Sequence, residues 1–292
     1  HMPKYIVSLL QKTSNDTFMT DKKPELSAAM KSKLEPKKFT KNPILGTKFT
    51  IAISSAKGGV GKSTIAVNLA FALQNLGLKI GILDADVYGP SLPKLINLNE
   101  KPKSEDGKAM IPVEKYNAQC MSMGFLVDEQ TPMIWRGPMV ISAIKTMTQK
   151  VLWKDRDIIV IDMPPGTGDT QLTFAQEVKV DGAIIVSTPQ DLALLDVKRG
   201  IQMFDKTGVK ILGLIDNMSF FKGDDGKEYK IFGESGVEKT AKEFNKQFLG
   251  HLPIHQDLRN SADIGDPLTR SNPDHEVSKK FIDIAKKIKQ SL

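Results

Sequence analysis

Cysteine is nearly absent: Cys120 is the single thiol among 292 residues. One thiol excludes an intramolecular disulfide framework and any metal site made of several cysteines of one chain, and it suggests a reducing compartment. Aromatic residues are also scarce, at 7%, and the two lysine-rich ends hold only Phe39 and Phe281 among their clustered lysines. That arrangement argues against a stacking platform for nucleic acid. No apolar run approaches the ~20 residues that a membrane-spanning helix needs, so no transmembrane segment is expected. Neither a charged-then-apolar leader nor an Arg-rich amphipathic one is visible. The expected location is cytoplasmic, with the mitochondrial matrix as the alternative. Acidic charge is in deficit: 41 Lys and Arg face 34 Asp and Glu, a formal net charge of +7. The excess crowds at Lys31, Lys33, Lys37, Lys38 and Lys41, and again at Lys279, Lys280, Lys286, Lys287 and Lys289. We read these as solvated faces and a basic arm, with no specific nucleic-acid partner.

Residues 1–47 are poor in aromatics and rich in Lys, Ser, Pro and Thr, which predicts a mobile arm with at most a short helix over 25–33. His1-Met2 reads as a cloning scar. From residue 48 to 292, apolar β-runs alternate with amphipathic stretches. Strands are expected at 49–55, 79–84, 157–162, 182–188, 210–216 and 248–252. Helices are expected near 63–76, 138–151, 170–178, 191–207, 234–247 and 274–290. Runs such as Ile158-Ile159-Val160-Ile161 are continuously apolar, as strands covered on both faces must be. The prediction is an α/β fold: a mostly parallel central sheet with helices on both faces, interrupted by an inserted β-hairpin within 97–125.

The densest signal is Ala56-Lys57-Gly58-Gly59-Val60-Gly61-Lys62-Ser63-Thr64. It departs from the G-x-x-x-x-G-K-[ST] pattern only in having Ala56 at the first glycine. A β-rich run leads in, and a helical pattern (Ile65, Leu69, Ala72, Leu73, Leu76) leads out. Glycines let successive backbone N–H groups turn towards phosphate oxygens, and the following helix N-terminus favours their charge. Lys62 places a cation on the outer phosphates, and the Ser63 hydroxyl is a Mg²⁺ ligand of the right kind. Two further strands end in acids: one in Asp84-Ala85-Asp86, the other in Asp162, followed by Met163-Pro164-Pro165-Gly166-Thr167-Gly168-Asp169. Open α/β sheets bind ligands at the carboxyl ends of their strands, so these acids should face the phosphates. The candidate metal ligands are Ser63, Asp84 and Asp162, with Mg²⁺ as the ion. Gly166 and Gly168 are candidates for amide contacts to a γ-phosphate.

The order of these pieces resembles the deviant Walker-A ATPases, the class containing MinD and ParA. Asp84-Ala85-Asp86-Val87-Tyr88-Gly89-Pro90-Ser91, Trp135-Arg136-Gly137-Pro138-Met139, Asp162–Asp169, Thr188-Pro189-Gln190 and Asn217-Met218-Ser219 narrow it to a resemblance to the Mrp/ApbC branch, iron–sulfur cluster carrier ATPases. The resemblance implies a P-loop ATPase that binds ATP with Mg²⁺, hydrolyses it slowly and forms a homodimer. It implies that Lys57 reaches the partner's nucleotide, that Gly58 to Thr64 hold phosphates, and that Asp86 positions the attacking water. It implies that Asn217, with the Pro253–Asp257 loop, holds adenine, and that iron–sulfur assembly proteins are partners.

One departure is plain. Where the carriers have Cys-x-x-Cys between Asn-Met-Ser and Ile-Phe-Gly, this chain has Gly223, Asp224 and Asp225. Carboxylates are poor replacements for thiolates on iron–sulfur clusters, so a bridging cluster is not expected. Asp-Asp-Gly-Lys reads instead as a hairpin turn, with Phe220 and Phe221 as apolar anchors of a protein-contact surface. Two functions stay open: a switch serving iron–sulfur assembly, and a MinD/ParA-like regulator or scaffold acting on a membrane, nucleic acid or protein. The second would use the last helix, with Phe281, Ile282, Ile284, Ala285, Ile288 and Leu292 beside lysines, as a membrane face. An ordinary packed helix fits that pattern better.

Overall fold

The computed structural model describes residues 40–104, 107–126 and 137–292. The helix expected over 25–33, most of the basic arm and Trp135-Arg136 lie outside those residues. The strands are β1 (Thr47–Ser54), β2 (Ile80–Asp84), β3 (Val113–Lys115), β4 (Ala118–Ser122), β5 (Arg156–Asp162), β6 (Gly182–Ser187), β7 (Ile211–Asp216), β8 (Phe221–Lys222), β9 (Glu228–Tyr229) and β10 (Phe248–His251). The helices are α1 (Lys62–Asn75), α2 (Leu92–Leu95), α3 (Gly137–Gln149), α4 (Asp169–Glu177), α5 (Asp191–Thr207), α6 (Gly236–Glu243), α7 (Gln256–Ile264), α8 (Leu268–Ser271) and α9 (Glu276–Ser291). Eight strands form one sheet in the order β10-β7-β6-β1-β5-β2-β4-β3, and β8 and β9 form a separate hairpin. All neighbours in the large sheet run parallel except β3 and β4.

The continuously apolar strands serve two cores at once. On β5, Ile158 and Val160 face one cluster while Ile159 and Ile161 face the other; on β6, Ile184 and Val186 oppose Ala183 and Ile185. This is the period-2 geometry of a strand, with both faces covered by helices. α1, α8 and α9 cover the first face, and α3, α4, α5 and α6 cover the second. α9 packs on α1 through Phe281, Ile284, Ala285 and Ile288, all buried. Its apolar stripe is therefore consumed by the core.

One expectation gains detail here and one changes. The hairpin expected within 97–125 is present as β3 and β4. β4 pairs in parallel with β2, from Gly81↔Gln119 to Asp84↔Ser122, so the hairpin extends the sheet to its edge. Cys120 thereby sits inside the core, fully buried. The packed chain also begins before residue 48: Asn42 bridges Val178, and Ile44 is buried.

Candidate functional site: a phosphate loop beside a nucleoside-sized cavity

The parallel register brings strand ends together. Ile53 of β1 and Asp84 of β2 both pair with Asp162 of β5. The loop after β1 therefore opens directly over two carboxylates. Gly61 ends that loop as the N-cap of α1, with φ of 82°. A Cβ on Gly61 would lie 2.5 Å from the Asn217 Nδ2, so both conformation and space require glycine there. Asn217 closes the contact by donating from Nδ2 to the Val60 carbonyl at 2.8 Å.

Lys62 is 5% exposed, and its ammonium lies 2.5 Å from Asp162 Oδ1 and 3.8 Å from Asp86 Oδ2. Burial pushes the Asp162 carboxyl up, and the Lys62 cation opposes that shift. Asp86 Oδ1 accepts from the N–H groups of Tyr88 and Gly89, at 3.1 and 3.2 Å. Gly58, Gly59, Gly61, Lys62, Ser63, Thr64, Asp86 and Pro165 line one depression of about 260 Å³. Lys57 is exposed at its entry and has no ion pair among the described residues.

Asp84 is used differently from expectation. Its Oδ2 accepts from the N–H groups of Ser91 and Leu92 and from the Ser122 hydroxyl, at 2.9, 3.0 and 2.9 Å. Its Oδ1 accepts from the Asp86 N–H at 3.2 Å. Oδ2 thus ties β2 to α2 and β4 while Oδ1 holds the turn to Asp86, and with donors on both oxygens Asp84 is a poor donor for a metal. Burial, then the nearby Asp162 charge, pushes its carboxyl up to about 7. The Gly166 amide is likewise engaged, donating to the Ser55 carbonyl at 2.9 Å.

A second cavity of about 420 Å³ shares Gly61 and Thr64 with the phosphate depression. Asn217 and Pro253 line it, as expected for a base site. Asp257 does not. It faces away to His275, whose Nε2 lies 3.2 Å from Asp257 Oδ2. His255 and His275 each cap a helix through Nδ1, accepting from Asp257 N–H and Val277 N–H at 3.2 and 3.1 Å. Those three side chains could be grouped as metal ligands. Nδ1 of each ring, however, already accepts from a backbone N–H, and each Nε2 faces a carboxylate. The group is a pair of interlocked helix caps. The wall residues given no site role in the sequence are Phe232, Leu258, Arg259, Ala262 and Asp263; Phe232 belongs to the Ile-Phe-Gly run, and the other four fall on a helix that no apolar periodicity marks.

The hairpin in place of the Cys-x-x-Cys is real. Phe221 pairs with Tyr229 and Lys222 with Glu228, antiparallel. Asp225 closes the turn, accepting from the Lys227 N–H and the Tyr229 hydroxyl at 3.0 and 2.9 Å, and these donors hold its carboxyl below the usual range. Of the two expected anchors, Phe221 is exposed but Phe220 is buried beneath Lys280.

A parallel sheet with a glycine-rich loop opening onto a buried lysine between two strand-end acids defines a P-loop NTPase of the ParA/MinD type. The chain matches the family described as "ParA: NUBPL iron-transfer P-loop NTPase" over residues 46–289, and it belongs to that family. It is 51% identical over 249 residues to the Arabidopsis thaliana "Iron-sulfur protein required for NADH dehydrogenase, mitochondrial", covering 85% of this chain and 80% of that one. It is 50% identical over 256 residues to the "Iron-sulfur cluster transfer protein NUBPL" of Dictyostelium discoideum, covering 87% and 79%. Among solved structures it resembles the nucleotide-binding protein of Archaeoglobus fulgidus in complex with ADP. That match has a TM-score of 0.66 and 37% identity, and covers 75% of this chain and 87% of that one.

Proposed function

We propose that this protein is an ATP-hydrolysing switch of the iron–sulfur carrier family that works without a thiolate-bound cluster of its own. The observation that carries the reading is the buried Lys62, bracketed by Asp162 and Asp86 on the floor of a phosphate loop that opens into a nucleoside-sized cavity. Glycine-flanked amides and Lys62 bind the phosphates, and Lys62 exchanges its carboxylate partners for phosphate oxygens as ATP enters. Ser63 and Asp162 offer the hard oxygen donors that Mg²⁺ takes, and the ion supplies charge neutralisation on the phosphates when bound. Asp86, its Oδ1 steadied by two amides, orients the water that attacks the γ-phosphorus. ATP and water give ADP and phosphate. Asn217 keeps Oδ1 and its second amide hydrogen for the adenine edge.

Turnover and nucleotide affinity test the chemistry. Lys62→Ala should abolish ATP binding, whereas Asp86→Ala should retain it and lose hydrolysis. Equal loss of binding in both variants would remove Asp86 from its role.

Relatives named for iron–sulfur transfer support a role in cluster assembly, with the cluster as cargo. Against resident ligation stands Cys120, fully buried on β4 with its thiol pushed up to about 12 by burial. A bridging cluster takes about four thiolates, and this one is out of reach. The protein should stay colourless after anaerobic reconstitution with iron and sulfide while still binding ATP. Stoichiometric iron and sulfide surviving Cys120→Ser would instead establish non-cysteine ligands. The MinD-like membrane reading has little support, because the face of α9 that it needs is packed on α1.

A further inference from the structure

The cavity beside the phosphate loop has one wall that does not belong to the main sheet or to the helices covering it. Asn217 follows β7, Pro253 to His255 follow β10, and Leu258 belongs to α7. Phe232 instead follows β9, in the segment leaving the β8–β9 hairpin. Among the described residues it is the only benzene ring lining the cavity, and it is 36% exposed, so part of the ring is uncovered. A tight turn places it: the Gly233 N–H donates to the Lys230 carbonyl at 3.0 Å, and Gly233 has φ of 88°.

The start of the hairpin is bound to the same cavity. The Ile254 N–H donates to the Phe220 carbonyl at 2.8 Å, and Phe221 bridges Ile254 in parallel. Lys222 then pairs with Glu276 at 3.1 Å, and the other oxygen of Glu276 lies 3.6 Å from the Nε2 of His255. Both ends of the hairpin therefore touch cavity wall, while its strands and turn stand in solvent. One end is hydrogen-bonded to that wall. The other contributes a ring with room for a planar partner.

We propose that Phe232 stacks on the base of the bound nucleotide and that the β8–β9 hairpin thereby registers whether the site is filled. Every base presents a π-face, so an aromatic ring beside a base cavity is a stacking partner irrespective of its hydrogen-bond pattern. Base binding fastens the hairpin's second end, which the empty site leaves with the ring partly in solvent. The segment that stands where the carriers have thiolates then becomes a nucleotide-dependent contact surface. This inference rests on the nucleotide reading of the site.

The test separates base from phosphate, with ADP as one probe and inorganic tripolyphosphate as the other. Binding is measured for both, and trypsin cleavage at the exposed Lys222, Lys227 and Lys230 reports the hairpin. In the unmodified protein, ADP should slow cleavage and tripolyphosphate should not. Phe232→Ala should weaken ADP about ten-fold, as loss of a stacking partner does. It should leave tripolyphosphate binding unchanged and abolish protection even at saturating ADP. Phe232→Tyr should behave as the unmodified protein. Unchanged ADP affinity in Phe232→Ala, or equal protection by ADP in that variant, would overturn the proposal while leaving the nucleotide site intact. A protein that binds neither probe would overturn the nucleotide reading, and this inference with it.

Discussion

Asp84 shows how little a residue type at a strand end says about its use. Three acids, Asp84, Asp86 and Asp162, stand at or just beyond the ends of apolar strands beside the phosphate loop, and residue type alone does not separate them. The structure does, through the donors around each. Asp162 and Asp86 face the Lys62 ammonium, whereas Asp84 accepts three N–H groups and a hydroxyl from its own surroundings. Its folded-state carboxyl, raised to about 7 from the usual 3.8, sets a sign. Between those values the folded protein holds a proton that the unfolded chain has released. Stability from this group is therefore full below about pH 4 and is lost as pH rises towards about 7. Denaturant midpoints across this window should show a fall in stability that is absent in Asp84→Asn, although that variant is less stable throughout because Asn presents an amide to backbone donors. A slope identical in both proteins would remove Asp84 as its source.

Secondary-structure elements were legible where side-chain periodicity was strong and invisible where capping did the work. The strands of the main sheet and the long helices α1, α5 and α9 carry enough apolar repetition to be read directly. α7 does not: within Gln256–Ile264 only Leu258 and Ser261 are buried, and Ile264 is exposed. What starts it is His255, a cap outside the usual Ser, Thr, Asp and Asn set. His275 starts α9 in the same way, and each imidazole also faces a carboxylate in the first turn of the other helix. The phosphate loop was legible because its motif is contiguous; the cavity wall on α7 was not, because α7 itself was missed. Removing either cap should cost about 1 kcal/mol, or about 2–4 °C in Tm for a chain of this size. Independent caps would make the cost of the double variant His255→Ala/His275→Ala equal to the sum of the singles; the two rings pack edge to face with centroids 4.8 Å apart, so the two effects should not add. Thermal unfolding of the singles and the double decides this.

At the scale of the whole molecule, the phosphate site has one cation too many for its own needs. Lys62 is buried against Asp162, whereas Lys57 stands exposed at the loop's entry with no ion pair among the described residues. Phosphoryl transfer spreads negative charge over the γ-phosphoryl oxygens, and a second cation supplied from outside stabilises it. Its own chain's phosphates already have Lys62, so Lys57, exposed at the loop's entry, is available to the site of a second copy meeting the loop face to face. Lys57 is therefore expected to act in trans, across a homodimer. Lys57→Ala and Asp86→Ala should each hydrolyse ATP poorly alone, since every site in either homodimer lacks one group. Mixed, they should form hybrid dimers: if Lys57 serves the site across the interface, the site built on the Lys57→Ala chain has its own Asp86 and the partner's Lys57, and the other site has neither; if Lys57 serves its own chain, each site still lacks one group. Recovery towards a quarter of unmodified turnover, from half of the dimers with one competent site each, is the expected scale at about equal mixing. A mixture as inactive as its parents, in a preparation shown to exchange subunits, would place Lys57 in its own chain's site.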